Sequence, residues 1–185
     1  MRLFIGIPIE GGQREWLAGE LSWLQRALPA ARWVKPQNLH LTVRFLGEAG
    51  ERDLPVIGDW LRAAVDPVGL GAVQFEKPGW FERHGEFILW LGVRATPRLH
   101  SLARKLSGPV ASIPAEPRAW APHVTLARYR GQRREQSQWG DFTHAFQRLS
   151  AGAVAPEPVR VVLFESRLGG PGGAEYREWL SIPER

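Results

Sequence analysis

Two stretches of this chain, 83 positions apart, repeat one pattern: Asn38-Leu39-His40-Leu41-Thr42-Val43-Arg44-Phe45 and Ala121-Pro122-His123-Val124-Thr125-Leu126-Ala127-Arg128. In each, a histidine and a threonine lie two apart, with apolar residues between and after them. Side chains two apart on a β-strand point to the same face. Each stretch therefore presents a polar His/Thr face backed by an apolar one (Leu41 and Val43, or Val124 and Leu126). Two such strands in one chain predict pseudo-symmetric halves that converge on a common cleft.

The rest of the pattern supplies the elements around them. A strand is expected near Phe4 to Ile7, ended by Pro8 and Gly11-Gly12. Leu17, Leu21, Leu24 and Leu28 recur at helical spacing and stop at Pro29. Leu39 to Leu46 alternates as a strand, and Asp53 to Val65 reads as a helix with Pro55 in its first turn. Strands follow at Ala72 to Glu76 and Glu86 to Val93, joined by a turn-rich segment holding Pro78, Gly79 and Gly85. A third helix opens at Pro97 and stops at Gly108-Pro109. Val124 to Tyr129 is a strand, and a short helix is expected around Trp139 to Leu149. Val159 to Leu168 and Tyr176 to Ile182 form a hairpin around a glycine-rich loop, which lacks the Lys-Ser/Thr ending of a phosphate-binding loop. This order predicts an α/β or α+β sandwich-like domain, with no linker long enough for two independent domains.

Composition narrows the chemistry by exclusion. The 185 residues contain no cysteine, which removes disulfides, thiolate metal sites and a cysteine nucleophile, and fits a cytoplasmic protein. No apolar run approaches the roughly 20 residues needed to span a bilayer. The N-terminal apolar stretch has no small-residue cleavage site and reads as a strand and not a signal peptide. The formal charge is +5, and Lys35, Lys77 and Lys105 are the only lysines, so arginine carries nearly all of the positive charge. The planar fork of arginine suits phosphate, although an arginine-rich surface also serves plain solubility.

Two opposed imidazoles suit phosphoryl transfer. One takes a proton from the attacking hydroxyl or water, and the other gives one to the departing oxygen. Imidazole titrates near pH 6.5, so a neutral and a charged histidine coexist close to neutrality. Each threonine hydroxyl can donate to a non-bridging phosphate oxygen, whose charge arginine offsets. The scheme needs no metal and no cofactor. A lone His-x-Thr arises easily by chance; two copies on matching strands, both followed by arginine, are a different matter.

The wording His-Leu-Thr-Val-Arg-Phe-Leu-Gly-Glu at 40–48, with His-Val-Thr-Leu-Ala-Arg at 123–128, resembles the two-histidine phosphoesterase superfamily. It closely resembles one branch, the bacterial and archaeal RNA 2′,3′-cyclic phosphodiesterases, also called 2′–5′ RNA ligases. The opening Arg2-Leu3-Phe4-Ile5-Gly6-Ile7, Trp33-Val34, Leu163-Phe164-Glu165-Ser166 and Tyr176 extend the resemblance over nearly the whole chain. It implies a bilobal fold: one domain over 1–185, with two related lobes of antiparallel sheet and helices around a central cleft. It also implies hydrolysis of a terminal 2′,3′-cyclic phosphate to a 2′-phosphate. His40 would then be the proton donor and His123 the proton acceptor, with Thr42, Thr125 and Arg128 on the phosphate and Phe45 stacked on the terminal base.

Other readings stay open at this level. Joining RNA ends through a 2′–5′ bond is ranked lower, because neither a phosphate-binding loop nor a nucleotidyl-lysine motif is present. A non-catalytic RNA-end-binding module would need cations more than a proton donor and acceptor. Expected partners are an RNA bearing a 2′,3′-cyclic phosphate end, with ATP or another nucleotide as a further candidate. The chain is expected to be a monomer without membrane contact. Arg130, Arg133 and Arg134 form either a solvated loop or an RNA-backbone contact, and Arg130 is a substrate-binding candidate. Arg44 would line the cleft if its strand stays regular. His84 and His100 read as surface residues and His144 as structural. Trp33 and Trp120, just before the motifs, could shape the cleft rim.

Overall fold

The computed structural model describes residues 1–66, 69–130, 136–149, 157–168 and 174–183. Among the described residues, nine strands and four α-helices follow in the order β1 (Arg2–Pro8), α1 (Gly11–Ala27), β2 (Arg32–Trp33), β3 (His40–Glu48), α2 (Leu54–Ala64), β4 (Ala72–Arg83), β5 (Glu86–Arg94), α3 (Pro97–Lys105), β6 (His123–Tyr129), α4 (Gln136–Phe146), β7 (Glu157–Pro158), β8 (Val161–Leu168) and β9 (Ala174–Ile182). The strands form an antiparallel sheet in the order β7-β4-β5-β6-β3-β1-β8-β9, with β2 added to β6.

The sheet divides at its middle into two lobes. β3, β1, β8 and β9 make one; β6, β5, β4 and β7 make the other. The central strands β3 and β6 meet where Leu41 stands opposite Val124. Beyond that point β6 pairs instead with β2, Arg32 opposite Arg128 and Trp33 opposite Ala127. The strands therefore part on either side of a narrow join, which opens the cleft.

Helices cover the face away from the cleft. Leu17, Leu21 and Leu24 of α1, Ile57 and Leu61 of α2, and Leu99 and Leu102 of α3 are buried in one cluster with Ile5, Ile7, Leu41, Leu91 and Val124 of the strands. Area removed from water stabilises such a core by roughly 25 cal/mol per Å². The helix starts follow local chemistry. Pro55 and Pro97 sit where a missing N–H costs nothing. The Thr96 hydroxyl accepts from the Leu99 N–H at 3.2 Å.

β4 runs seven residues beyond the expected Glu76, through the segment read as turn-rich, and pairs with β5 as far as Arg83. Two features allow this. A register shift between Phe75 and Pro78 absorbs the proline. Gly79 is there for clearance, since a Cβ at that position would fall 2.4 Å from the Trp90 ring. The hairpin turns at His84 and Gly85, both at positive φ (51° and 72°), as a two-residue turn of that hand requires. The glycine-rich loop, Arg133 and Arg134 lie outside the described residues.

Candidate active site

The two motifs occupy the strands at the join. With Leu41 opposite Val124, the antiparallel order sets His40 beside Thr125 and Thr42 beside His123. Both strands then do something that a period of two does not foresee. Ile5 pairs with Arg44 and Gly6 with Thr42, which leaves Val43 as an extra residue in β3. Leu89 pairs with Ala127 and Trp90 with Thr125, which leaves Leu126 as the equivalent extra residue in β6. Each is a β-bulge three residues after its histidine.

A bulge flips the facing of the residues that follow it, in β3 as far as a second register shift between Phe45 and Gly47. Phe45 and Arg128, each five residues past a histidine, come to the cleft face with His40, Thr42, His123 and Thr125. Phe45 is 64% exposed there. The same flip turns Arg44 away from the cleft, against the expectation for a regular strand. Arg44 is only 4% exposed and donates to the carbonyls of Leu106, Gly108 and Pro114. It also stacks 5.1 Å from the Trp60 ring. It ties β3 to the chain leaving α3 and takes no part in the cleft.

The imidazoles are held alike. His40 Nδ1 lies 2.7 Å from the carbonyl of Asn38, and His123 Nδ1 lies 2.7 Å from that of Ala121. A carbonyl only accepts, so Nδ1 carries the hydrogen in both rings and Nε2 keeps its lone pair for the cleft. Asn38 is itself anchored, its side-chain amide donating to Ala174 O at 2.7 Å. Trp120 Nε1 donates to Thr42 O at 2.9 Å and so clamps β3 to the segment entering β6. Trp33 instead bonds to Leu28 O and packs on Phe142, in the core and not on the rim.

Aromatic rings wall each histidine. Phe4 lies 4.8 Å and Tyr176 5.2 Å from the His40 ring, the latter edge-on. Phe81 lies 5.3 Å edge-on and Trp90 6.2 Å from His123. Gly6 makes the room for His40, since a Cβ there would stand 3.3 Å from His40 Cδ2. Burial is the main cause that holds the His40 pKa below its ordinary 6.5; the Asn38 bond opposes it and the charge of His123 adds to it. Burial likewise raises the Tyr176 phenol, with the field of Arg128 opposing.

A cavity opens beside each imidazole, and the two differ in size and lining. That at His40 is about 220 Å³ and borders Pro8, Asn38 and Tyr176. It also borders Arg160, which Glu178 (2.8 Å) and Glu10 (3.0 Å) hold with its pKa raised. That at His123 is about 1170 Å³ and borders Gly92, Pro122, Phe81 and Trp90.

Arg128 does not stand alone. Glu86, 14% exposed, receives Arg32 at 2.8 Å, Arg128 at 3.2 Å and Arg130 at 3.4 Å. Burial works against its charge, but Arg128, Arg130 and Arg32 together hold its carboxyl below the usual range. Reading by motif missed Glu86 and Arg32. The signal was present in β5: Leu89, Leu91 and Val93 are buried, so Glu86, Trp90, Gly92 and Arg94 form the opposite, cleft-facing set. The remaining histidines lie away from the site. His84 is in the β4–β5 turn, His100 is exposed with its ring against Trp120, and exposed His144 meets the Arg148 guanidinium.

Comparison with known proteins agrees with this architecture. The family model of LigT-like phosphoesterases matches residues 13–76. The chain is 31% identical to the RNA 2′,3′-cyclic phosphodiesterase of Escherichia coli (strain K12) over 135 residues, 69% of this chain and 71% of that one. It is 26% identical to the RNA 2′,3′-cyclic phosphodiesterase of Methanothermobacter thermautotrophicus over 179 residues, 92% and 94% of the two chains. The fold matches E. coli LigT complexed with 3′-AMP at a TM-score of 0.69 and 24% identity, over 97% of this chain and 95% of that one. It matches TT0787 of Thermus thermophilus at 0.67 and 23%, over 98% and 96%. With the paired histidines, the twin bulges and these relatives in view, the chain belongs to the LigT-like phosphoesterases, the family of the RNA 2′,3′-cyclic phosphodiesterases.

Proposed function

We propose that this protein hydrolyses the 2′,3′-cyclic phosphate at the end of an RNA to a 2′-phosphate, with His40 and His123 as acid and base and no metal ion. The observation that carries the reading is the matched pair of imidazoles, each fixed through Nδ1 by a backbone carbonyl two residues earlier. Such a pair offers two Nε2 atoms for proton traffic across one phosphate.

His123 Nε2 takes a proton from water as its oxygen attacks phosphorus. The P–O3′ bond breaks, and His40 Nε2–H gives its proton to the departing O3′. The product carries a 2′-phosphate and a free 3′-hydroxyl, and proton exchange with solvent restores both rings. The wider cavity beside His123 favours water on that side and the ribose on the side of His40. Burial and His123 lower the His40 pKa; an anionic phosphate adds the opposite sign, so the proton arrives with the substrate. Thr42 and Thr125 donate to non-bridging oxygens and Arg128 offsets their charge. Phe45, exposed on the cleft face, stacks on the terminal base in a way that tolerates any base. Arg130 meets the RNA backbone. The 3′-AMP, ATP and NADP+ of the E. coli LigT structures all carry ribose phosphates, which suits a nucleotide ligand here.

Product analysis tests the regiochemistry. An oligonucleotide ending in a 2′,3′-cyclic phosphate, incubated with chelator, should yield the 2′-phosphate by phosphorus NMR. A 3′-phosphate product would reverse which oxygen leaves and overturn the assignment of His40. A joined 2′–5′ product from matched RNA ends, with no hydrolysis, would place ligation first.

A further inference from the structure

Three guanidiniums gather on one carboxylate at the rim of the cleft. Arg32, Arg128 and Arg130 all reach Glu86, and Arg32 and Arg130 are about three-quarters exposed while Glu86 is nearly covered. One carboxylate cannot neutralise three cations, so the cluster carries about two positive charges. A surface arrangement of that kind contributes little to folding. It does hold two solvent-facing forks at a fixed place beside Arg128, and a fork matches a phosphate in shape as well as charge.

The placement has a direction. Arg128 faces the phosphate held by the two motifs, and Arg32 is its pairing partner across β2 and β6. Arg130 lies two residues beyond Arg128 along the chain. The cluster therefore sits one step outward from the reacting phosphate, towards the end of β6 near Tyr176, whose phenol feels the charge of Arg128. That is the side of His40 on which the ribose lies in the reading above. A chain leaving that ribose carries its next negative charge at the neighbouring phosphodiester.

We infer that Arg32 and Arg130, held by Glu86, form a second phosphate site that grips the phosphodiester preceding the terminal nucleotide of a single-stranded RNA. Glu86 is the positioning residue of the site: it fixes the outer pair and turns Arg128 to the reacting phosphate. The inference rests on the proposed cyclic-phosphate reaction and adds a preference for chains of two nucleotides or more. A nucleoside 2′,3′-cyclic phosphate has no phosphodiester to offer, so it should be the poorer substrate.

The test compares three substrates: a nucleoside 2′,3′-cyclic phosphate, the matching dinucleotide ending in a 2′,3′-cyclic phosphate, and that dinucleotide with a neutral methylphosphonate linkage. Wild-type protein should favour the charged dinucleotide over both others by about tenfold in kcat/KM, the scale of one charge-assisted contact. The Arg32→Ala/Arg130→Ala protein should lose that ratio. Glu86→Gln should shrink it and also lower kcat, with Glu86→Asp restoring part of both. Arg26→Ala, on the helix across the sheet, should keep it. Because the neutral linkage changes only the substrate, a folding defect cannot imitate its effect. Equal turnover of the charged and neutral dinucleotides, or an unchanged ratio in the double variant, would overturn the second site while leaving the reaction intact. No turnover of any of the three by wild type would overturn the reaction itself.

Discussion

Gly6 lies tight against His40. Its Cβ would meet His40 Cδ2 and the Leu41 carbonyl, both at 3.3 Å. Gly6→Ala should push the imidazole off its position and lower kcat about tenfold, since small misplacements of reacting groups are costly. Its thermal midpoint should fall far less than its rate. His40 carries a second prediction. Burial, then the charge of His123, holds its pKa below 6.5. An NMR titration of the imidazole should find it there, and His123→Gln should move it part of the way back. Inorganic phosphate should raise it. Below pH 6.5 the unfolded chain binds more protons than the folded one, so stability falls as pH drops towards the folded value. His40→Gln should flatten that part of the denaturation profile. A His40 that titrates at or above 6.5 would contradict both expectations.

At the scale of elements the decisive features are the two bulges. They place Phe45 and Arg128 in the cleft and send Arg44 into the interior. Arg44→Met should destabilise the fold by roughly 3 kcal/mol or more, because the carbonyls of Leu106, Gly108 and Pro114 lose their donor at about 1–3 kcal/mol each. Denaturant unfolding measures this, and a neutral result would mean that water serves those carbonyls equally well. The bulges also mark how far the sequence could be read. A period of two correctly groups His40 with Thr42 and His123 with Thr125. It then assigns Arg44 to the cleft and Phe45 to the back, the reverse of what is found. Only the family resemblance pointed Phe45 and Arg128 to the substrate, since an extra residue leaves no mark in the pattern of apolar side chains. Glycine was ambiguous in the same way. Gly79 read as a turn, whereas it serves as clearance for Trp90 inside a strand. Helices were easier to read, because leucine spacing and flanking prolines act locally. Glu86 was legible only as one of the cleft-facing residues of β5; its three partners come together only when β2, β5 and β6 are adjacent.

As a whole the molecule is two related lobes whose strands meet at Leu41 and Val124, with one histidine from each beside the join. The likeness stops at the cavities. The side of His40 is small and carries the Arg160 ion pairs; the side of His123 is wide. An asymmetric cleft around a symmetric pair would let two chemically identical side chains take the opposite roles proposed for them. That gives the most direct test of the central claim, which is that both imidazoles act on one phosphate. Turnover of an oligonucleotide ending in a 2′,3′-cyclic phosphate should be measured with excess chelator for wild type, His40→Ala, His123→Ala and the double variant. Wild type should remain active. Each single variant should lose about 10²–10⁴-fold, the usual worth of one general acid or base. The double variant should lose little more than the worse single one, because the two groups act as a unit. Full activity in either single variant, or loss of wild-type activity to the chelator, would contradict the account.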